Sequence, residues 1–228
     1  MKIPGILLDA LLPPRCASCG RPGSRWCPAC QAAAPQLAPP CCPRCSQPVA
    51  VAGQVCAVCH AHPPAFQRAA VWRAYGGTLQ RAVTALKFRR DVGLAQLFGE
   101  RLAEPVAAAG WPVEIVTPVP LGRNRLRERG YNQTALIARP LAALLGARYA
   151  PGALARARET RPQVGLSLAE RRANVAGAFR GDPAHVSARC VLLVDDVMTT
   201  GATLDAASAA VLGAGASVVY AGAVARVI

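Results

Sequence analysis

The sequence predicts an α/β domain, a parallel sheet flanked by helices, preceded by a small cysteine-rich unit. Three observations predict it. Val191–Val194 (VLLV) is an apolar run with no polar alternation, the pattern of a parallel strand buried on both faces. Strand-like and helix-like stretches alternate along residues 65–228, which implies parallel pairing through right-handed crossovers. Nine of the ten cysteines, and much of the proline, fall in residues 1–64. The expected division is therefore a cysteine-rich unit over 1–64 and an α/β domain over 65–228, with Pro63-Pro64 as the linker.

Taken in order, Ile3–Leu12 is too short for a membrane span and carries Asp9. No small-residue cleavage site follows it, so it reads as a short helix packed on the body rather than a signal peptide. The cysteines then fall as Cys16-x-x-Cys19, Cys27-x-x-Cys30, Cys42-x-x-Cys45 and Cys56-x-x-Cys59. Each turn aims two thiolates at one metal, and a second knuckle completes four-coordination. Sequential pairing gives one structural zinc on Cys16, Cys19, Cys27 and Cys30, and another on Cys42, Cys45, Cys56 and Cys59. An interleaved pairing stays open, and iron is the minority alternative for the same ligands. Disulfides are disfavoured because no secretion signal is visible and cytosolic thiols stay reduced. Cys41 is left over by spacing, Cys190 reads as a core residue, and His60 and His62 are not needed as ligands.

In the α/β part, Ala69–Tyr75 reads as the first strand and Leu79–Phe88 has helical spacing. Leu94–Ala109 is an amphipathic helix closed by Gly110. Glu114–Val119 is the second strand, followed by a loop, Leu121–Tyr131, with four arginines at 123, 125, 127 and 129. Gln133–Leu145 is a helix ending at Gly146. Arg156–Arg180 reads as mostly irregular and basic, a lid, with a helix starting at the Ser167-x-x-Glu170 capping box. Gly181–Ser187 is a connection. The strand at Val191 is expected to end at Asp195-Asp196. Leu204–Leu212 is the next helix, and Ala216–Val224 supplies a final strand.

The stretch from Asp195 to Thr203 has the composition of a ligand site. Two adjacent acids after a buried strand are costly without a ligand. Thr199-Thr200-Gly201-Ala202-Thr203 then offers hydroxyls, and Gly201 permits a close backbone approach. Backbone N–H groups at the following helix start suit a phosphate, while the lysine of a nucleoside-triphosphate loop is missing. Carboxylates beside a monophosphate seat fit vicinal hydroxyls, a divalent cation, or both. A ribose 5-phosphate has those features.

The whole stretch, VLLVDDVMTTGATL, closely resembles the 5-phosphoribosyl-1-diphosphate (PRPP) motif of type I phosphoribosyltransferases. Together with Leu86-Lys87-Phe88, Val119-Pro120-Leu121, Arg129-Gly130-Tyr131-Asn132-Gln133 and the spaced set Thr160, Gln163, Leu166, Arg171, Asn174 and Phe179, it makes the chain resemble the ComF (competence protein F) family over essentially its full length. The resemblance implies a double zinc ribbon followed by a type I phosphoribosyltransferase-like domain. It implies that Asp195 and Asp196 hold the ribose hydroxyls and that Thr199, Thr200, Gly201, Ala202 and Thr203 hold the 5-phosphate. Pro120, Leu121, Gly122 and Arg123 would hold the diphosphate, with Lys87 and the Arg156–Arg172 segment closing over it. The family is tied to uptake of single-stranded DNA in natural transformation.

Two functions follow as expectations. One is a Mg2+-dependent phosphoribosyltransferase acting on PRPP and an unspecified acceptor. The other is a PRPP-regulated module binding single-stranded DNA, with Trp72, Tyr75, Phe88 and Tyr131 as available stacking residues and competence-machinery proteins as partners. The formal net charge of +14 suits either anionic ligand, although codon bias toward arginine gives the same number. No apolar run reaches the roughly 18 residues of a membrane span, and a cytoplasmic location is expected.

Overall fold

The computed structural model describes residues 13–161, 165 and 167–228. The Ile3–Leu12 stretch, and Gln163 and Leu166 of the spaced set, lie outside the described residues.

A five-stranded, all-parallel sheet organises the molecule. Its strands are β1 (Ala69–Ala74), β2 (Ile115–Pro118), β3 (Arg148–Tyr149), β6 (Cys190–Met198) and β7 (Val218–Arg226), in the order β1-β7-β6-β2-β3. A separate antiparallel ribbon joins β4 (Leu154–Arg156) to β5 (Phe179–Gly181). Strand β6 sits at the centre, and its apolar run is buried on both faces as the sequence implies. Leu192 and Val194 pack in one cluster with residues of α3 (Gly77–Phe88), α4 (Leu94–Ala108) and α6 (Gln133–Leu144). Val191 and Leu193 pack in the other, with Leu204, Ala207 and Val211 of α9 (Ala202–Gly213). Leu192 and Leu193 are fully buried, each contributing about 2 kcal/mol of transfer free energy.

Four expectations are corrected. Strand β6 does not stop at the acidic pair. The ladder with β7 carries it on through Asp195↔Ala223 and Val197↔Ala225 to Met198↔Arg226, because backbone pairing continues where the apolar side chains end. The arginine-rich loop contains a two-turn helix, α5 (Arg123–Arg129), closed by Gly130 at φ +82°. The basic Arg156–Arg180 segment is bracketed by the β4–β5 ribbon rather than being irregular at its ends. The Gly181–Ser187 connection holds the short helix α8 (Pro183–Val186), capped by Asp182. The capping box does form: Ser167 accepts from the Glu170 backbone at the start of α7 (Leu168–Val175), and Glu170 accepts from the Ser167 N–H at 2.8 Å.

The cysteine-rich part clasps the β1 edge of the sheet. It is two copies of one pattern, a knuckle hairpin and then a short helix, α1 (Pro28–Ala32) and α2 (Ala57–Ala61). Backbone carbonyls of Arg44 and Pro35 accept from Ala69 N–H (2.7 Å) and Ala74 N–H (3.0 Å) of the edge strand. The first copy joins the α3–α4 face through Trp26, which is 1% exposed and meets Trp72 and Phe98 edge-on at 5.7 Å. The second joins the opposite face through Cys42, Cys45, Cys56 and Cys59, packed with Phe66 and Met198. Among the described residues no helix is long and apolar enough to cross a membrane.

Candidate functional site

The two metal sites are the simplest to read. The sulfurs of Cys16, Cys19, Cys27 and Cys30 lie within 4.8 Å of one another, as do those of Cys42, Cys45, Cys56 and Cys59, so the pairing is sequential. The Cys19–Cys27 and Cys45–Cys56 sulfurs are 3.7 and 3.6 Å apart. A tetrahedral zinc with Zn–S near 2.3 Å requires about 3.8 Å between sulfurs, so the sets fit zinc. The repeat extends to the N–H groups that stabilise thiolate: Cys27 donates to Cys16 Sγ and Cys56 to Cys42 Sγ, both at 3.4 Å. Burial opposes ionisation of Cys16, but backbone N–H groups of Cys19, Cys27 and Ser18 bring its thiol down to about 6. Four thiolates close each site, so its role is structural. Cys41 stands outside the sets, as do His60 and His62, and Cys190 is buried in the core.

At the carboxyl ends of β2 and β6 lies a cavity of about 410 Å³. Parallel sheets bind ligands on this edge. The structure brings Lys87, Pro120, Leu121, Asp195, Asp196, Thr199, Gly201 and Thr203 to its walls. Thr200 and Ala202 lie behind the loop instead, facing Cys59 and Phe66 across a small void. Gly201 has φ +82°, a backbone conformation that favours glycine.

The two acids have different partners. Asp196 is buried, and both its oxygens are taken: Lys87 Nζ lies 2.7 Å from Oδ1, and Gln133 Nε2 donates to Oδ2 at 2.6 Å. Gln133 in turn accepts from Arg129. Asp195 is half-buried, and its Oδ1 accepts from the Asp196 N–H at 2.8 Å. Burial, then the neighbouring Asp196 charge, push the Asp195 carboxyl up to about 7 against the pull of Lys87.

Cations line the rest. Arg125, Arg129 and Arg156 reach the cavity with Thr160. Arg156 donates to the Pro120 carbonyl at 3.2 Å and to Thr160 Oγ1. Burial lowers the affinity of both Arg129 and Arg156 for their protons, so these guanidiniums favour a nearby anion. The loop after β2 is pinned from below, where Asn132 and Thr134 donate to the Val119 carbonyl at 3.1 and 2.7 Å. Gly122 and Arg123 do not line the cavity with side chains. Neither reaches its walls, and Arg123 N–H is taken by Glu159 Oε1.

The sequence pointed to the acids, the threonine loop and Lys87. It also pointed to the loop Pro120–Arg123 and the segment beginning at Arg156, but did not single out Gln133, Arg129 or Arg125 as members of the site. The available signal was Arg129 and Gln133 four residues apart: that spacing crosses one helix end, and only the fold turns both toward Asp196.

The family described as double zinc ribbon domain matches residues 7–61. DNA utilization protein YhgH of Escherichia coli strain K12 is 33% identical over 168 residues, covering 72% of this chain and 74% of that protein. The Salmonella typhi protein of the same name is 34% identical over the same shares. Competence protein F of Haemophilus influenzae is 32% identical over 174 residues, 73% of this chain and 76% of that one. Among solved structures, a B. subtilis glutamine PRPP amidotransferase complexed with ADP and GMP overlaps 56% of this chain and 25% of its own, at 23% identity and a TM-score of 0.40. Identity at this level over three quarters of each relative, with the double zinc ribbon ahead of a parallel sheet, places the chain in the ComF family, alongside competence protein F and DNA utilization protein YhgH.

Proposed function

We propose that the cavity binds PRPP together with Mg2+ and serves transfer of its phosphoribosyl group to an acceptor. The observation that carries the reading is convergence: an acidic pair, a glycine-and-threonine loop at a helix start, and four cations face one cavity. In this reading Asp195 accepts the ribose hydroxyls, since both oxygens of Asp196 are already engaged. Thr199, Thr203 and backbone N–H groups around Gly201 and Ala202 receive the 5-phosphate, with Thr200 shaping the loop from behind. Lys87, Arg125, Arg129 and Arg156 face the diphosphate, seated on the loop Pro120–Arg123.

The donors fit Mg2+, which binds through one or two carboxylates and substrate phosphates and keeps several waters. The Asp195 carboxylate is the protein group that would hold it, and when bound the ion neutralises diphosphate charge. In transfer, the bond from the anomeric carbon to the diphosphate oxygen breaks and its electron pair leaves with the diphosphate. The acceptor's lone pair forms the new bond at that carbon, and the acceptor's proton passes to solvent. The arginines and Lys87 stabilise the leaving charge in a site partly closed to water. The reduced thiols of the zinc sites go with a cytoplasmic location.

Calorimetric titration of PRPP with Mg2+ tests this. Micromolar binding by the zinc-loaded protein, lost in Asp195→Asn/Asp196→Asn, is the expected result. No binding by the folded wild type would overturn it.

A second reading draws on α5 and Phe88. The relatives are named for DNA utilization and competence. Four arginines lie on one short helix, and one of them, Arg129, stands 5.3 Å from the centre of the Phe88 ring, which is 71% exposed. That combination of cations and a stacking face suits single-stranded DNA, with competence-machinery proteins as further partners. The other aromatics contribute less: Trp72 is buried, and Tyr131 is tied to the Leu86 carbonyl.

A further inference from the structure

We infer that Glu159 is an internal occupant of the anion seat on the loop Pro120–Arg123, and that it thereby sets which phosphoribosyl ligands bind. The inference deepens the PRPP reading and rests on it.

The loop has its carbonyl side engaged. Val119 O accepts from Asn132 and Thr134, and Pro120 O accepts from Arg156. Its N–H side is where an anion fits, and there a carboxylate already sits. Arg123 N–H donates to Glu159 Oε1 at 2.5 Å. A Cβ on Gly122 would stand 2.4 Å from Glu159 Oε2 and 3.3 Å from Oε1, so both oxygens lie against the Gly122 backbone. The contact spans 36 residues of sequence. Arginines 123, 125, 156 and 158 are all close in the chain or the fold. Even so, among the described residues the Glu159 carboxylate makes no ion pair within 4 Å and takes the loop backbone instead.

The placement is held from outside the site. Arg158 donates to the carbonyls of Ala176 (2.5 Å) and Asn174 (3.1 Å). The Asn174 side chain clasps the Arg161 backbone on both sides, accepting from its N–H at 3.0 Å and donating to its carbonyl at 2.9 Å. The turn that carries Glu159 is thus docked on α7, and the glutamate is delivered to the loop rather than dangling near it.

A carboxylate on the Arg123 N–H has the sign and hydrogen-bonding needs of one face of a phosphoryl group. A ligand with a diphosphate on the anomeric carbon must displace it. A ligand ending in a hydroxyl there leaves it in place. Glu159 is exposed, so its release to water is easy once the loop is taken. It acts as a threshold beside the cavity, next to Thr160, which lines it.

The test titrates PRPP, inorganic diphosphate and ribose 5-phosphate, each with Mg2+, into the zinc-loaded wild type, Glu159→Gln and Glu159→Ala. Loss of a charge-assisted hydrogen bond that competes with the ligand should tighten PRPP and diphosphate by about tenfold. Ribose 5-phosphate should be unchanged. If the wild type binds PRPP and neither variant differs, or if both bind it more weakly, Glu159 is no competitor and the inference falls while the PRPP reading stands. If no form binds any of the three, the PRPP reading fails and takes the inference with it.

Discussion

Asp195 and Asp196 are neighbours in sequence with opposite surroundings. Asp196 is compensated by Lys87 and Gln133, whereas Asp195 meets burial and a like charge. The folded state therefore binds the Asp195 proton more tightly than the unfolded chain, at about 7 against an ordinary 3.8. The stability this proton contributes is full below about pH 4 and is lost as pH rises through about 7. Asp195→Asn has no such loss. In ligand-free, zinc-loaded protein, its melting temperature should exceed the wild type's by a gap that widens between about pH 5 and pH 7 and levels off above that. A gap independent of pH would show that Asp195 is ionised throughout. The acids were legible because adjacent carboxylates after an apolar run are rare without a ligand. Gln133 and Glu159 were not: a glutamine and a glutamate mean little until the fold sets them 63 and 36 residues away in sequence from their partners.

Among the elements, α5 shows most clearly where sequence patterning stops. Its seven residues, RNRLRER, bury nothing, so no apolar periodicity marks them as helical. What forms the helix is its ends: a pinned loop before it and Gly130 in the left-handed region after it. By contrast α4 and α9 bury a face each and were legible to within a few residues, and the Ser167 capping box marked the start of α7. The exposure of α5 also makes it testable apart from folding. If it tracks a nucleic-acid backbone, replacing Arg123, Arg125 and Arg127 by Gln should weaken single-stranded DNA binding. It should also reduce the slope of log affinity against log salt by about 0.7 for each phosphate that is no longer neutralised. Arg129 is left intact because it supports Gln133. An unchanged slope with unchanged affinity would remove α5 from any nucleic-acid surface.

At the scale of the whole molecule, the double ribbon is a clamp rather than an appendage. It covers the β1 edge with backbone hydrogen bonds, and sends Trp26 into one core and four cysteines into the other. Spacing made the ligands legible, while the clasp was not, because Arg44, Pro35 and Trp26 carry no motif. The two sites differ in access. Cys19 is exposed and Cys27 half-buried in the first, whereas all four ligands of the second are buried. A chelator reaches the first zinc through an outer sulfur and must wait for local opening to reach the second. Release should therefore be biphasic, one equivalent fast and one slow, with Cys19→Ser removing the fast phase. Because Trp26 stands between the first site and the α3–α4 face, the fast phase should carry a red shift in tryptophan emission as Trp26 leaves Trp72 and Phe98. Undoing that packing costs about 3 kcal/mol, enough to lower the melting temperature of the whole chain by several degrees. A single release phase, or a fast phase without the emission change, would mean that the ribbons share one stability and that Trp26 stays docked without its metal.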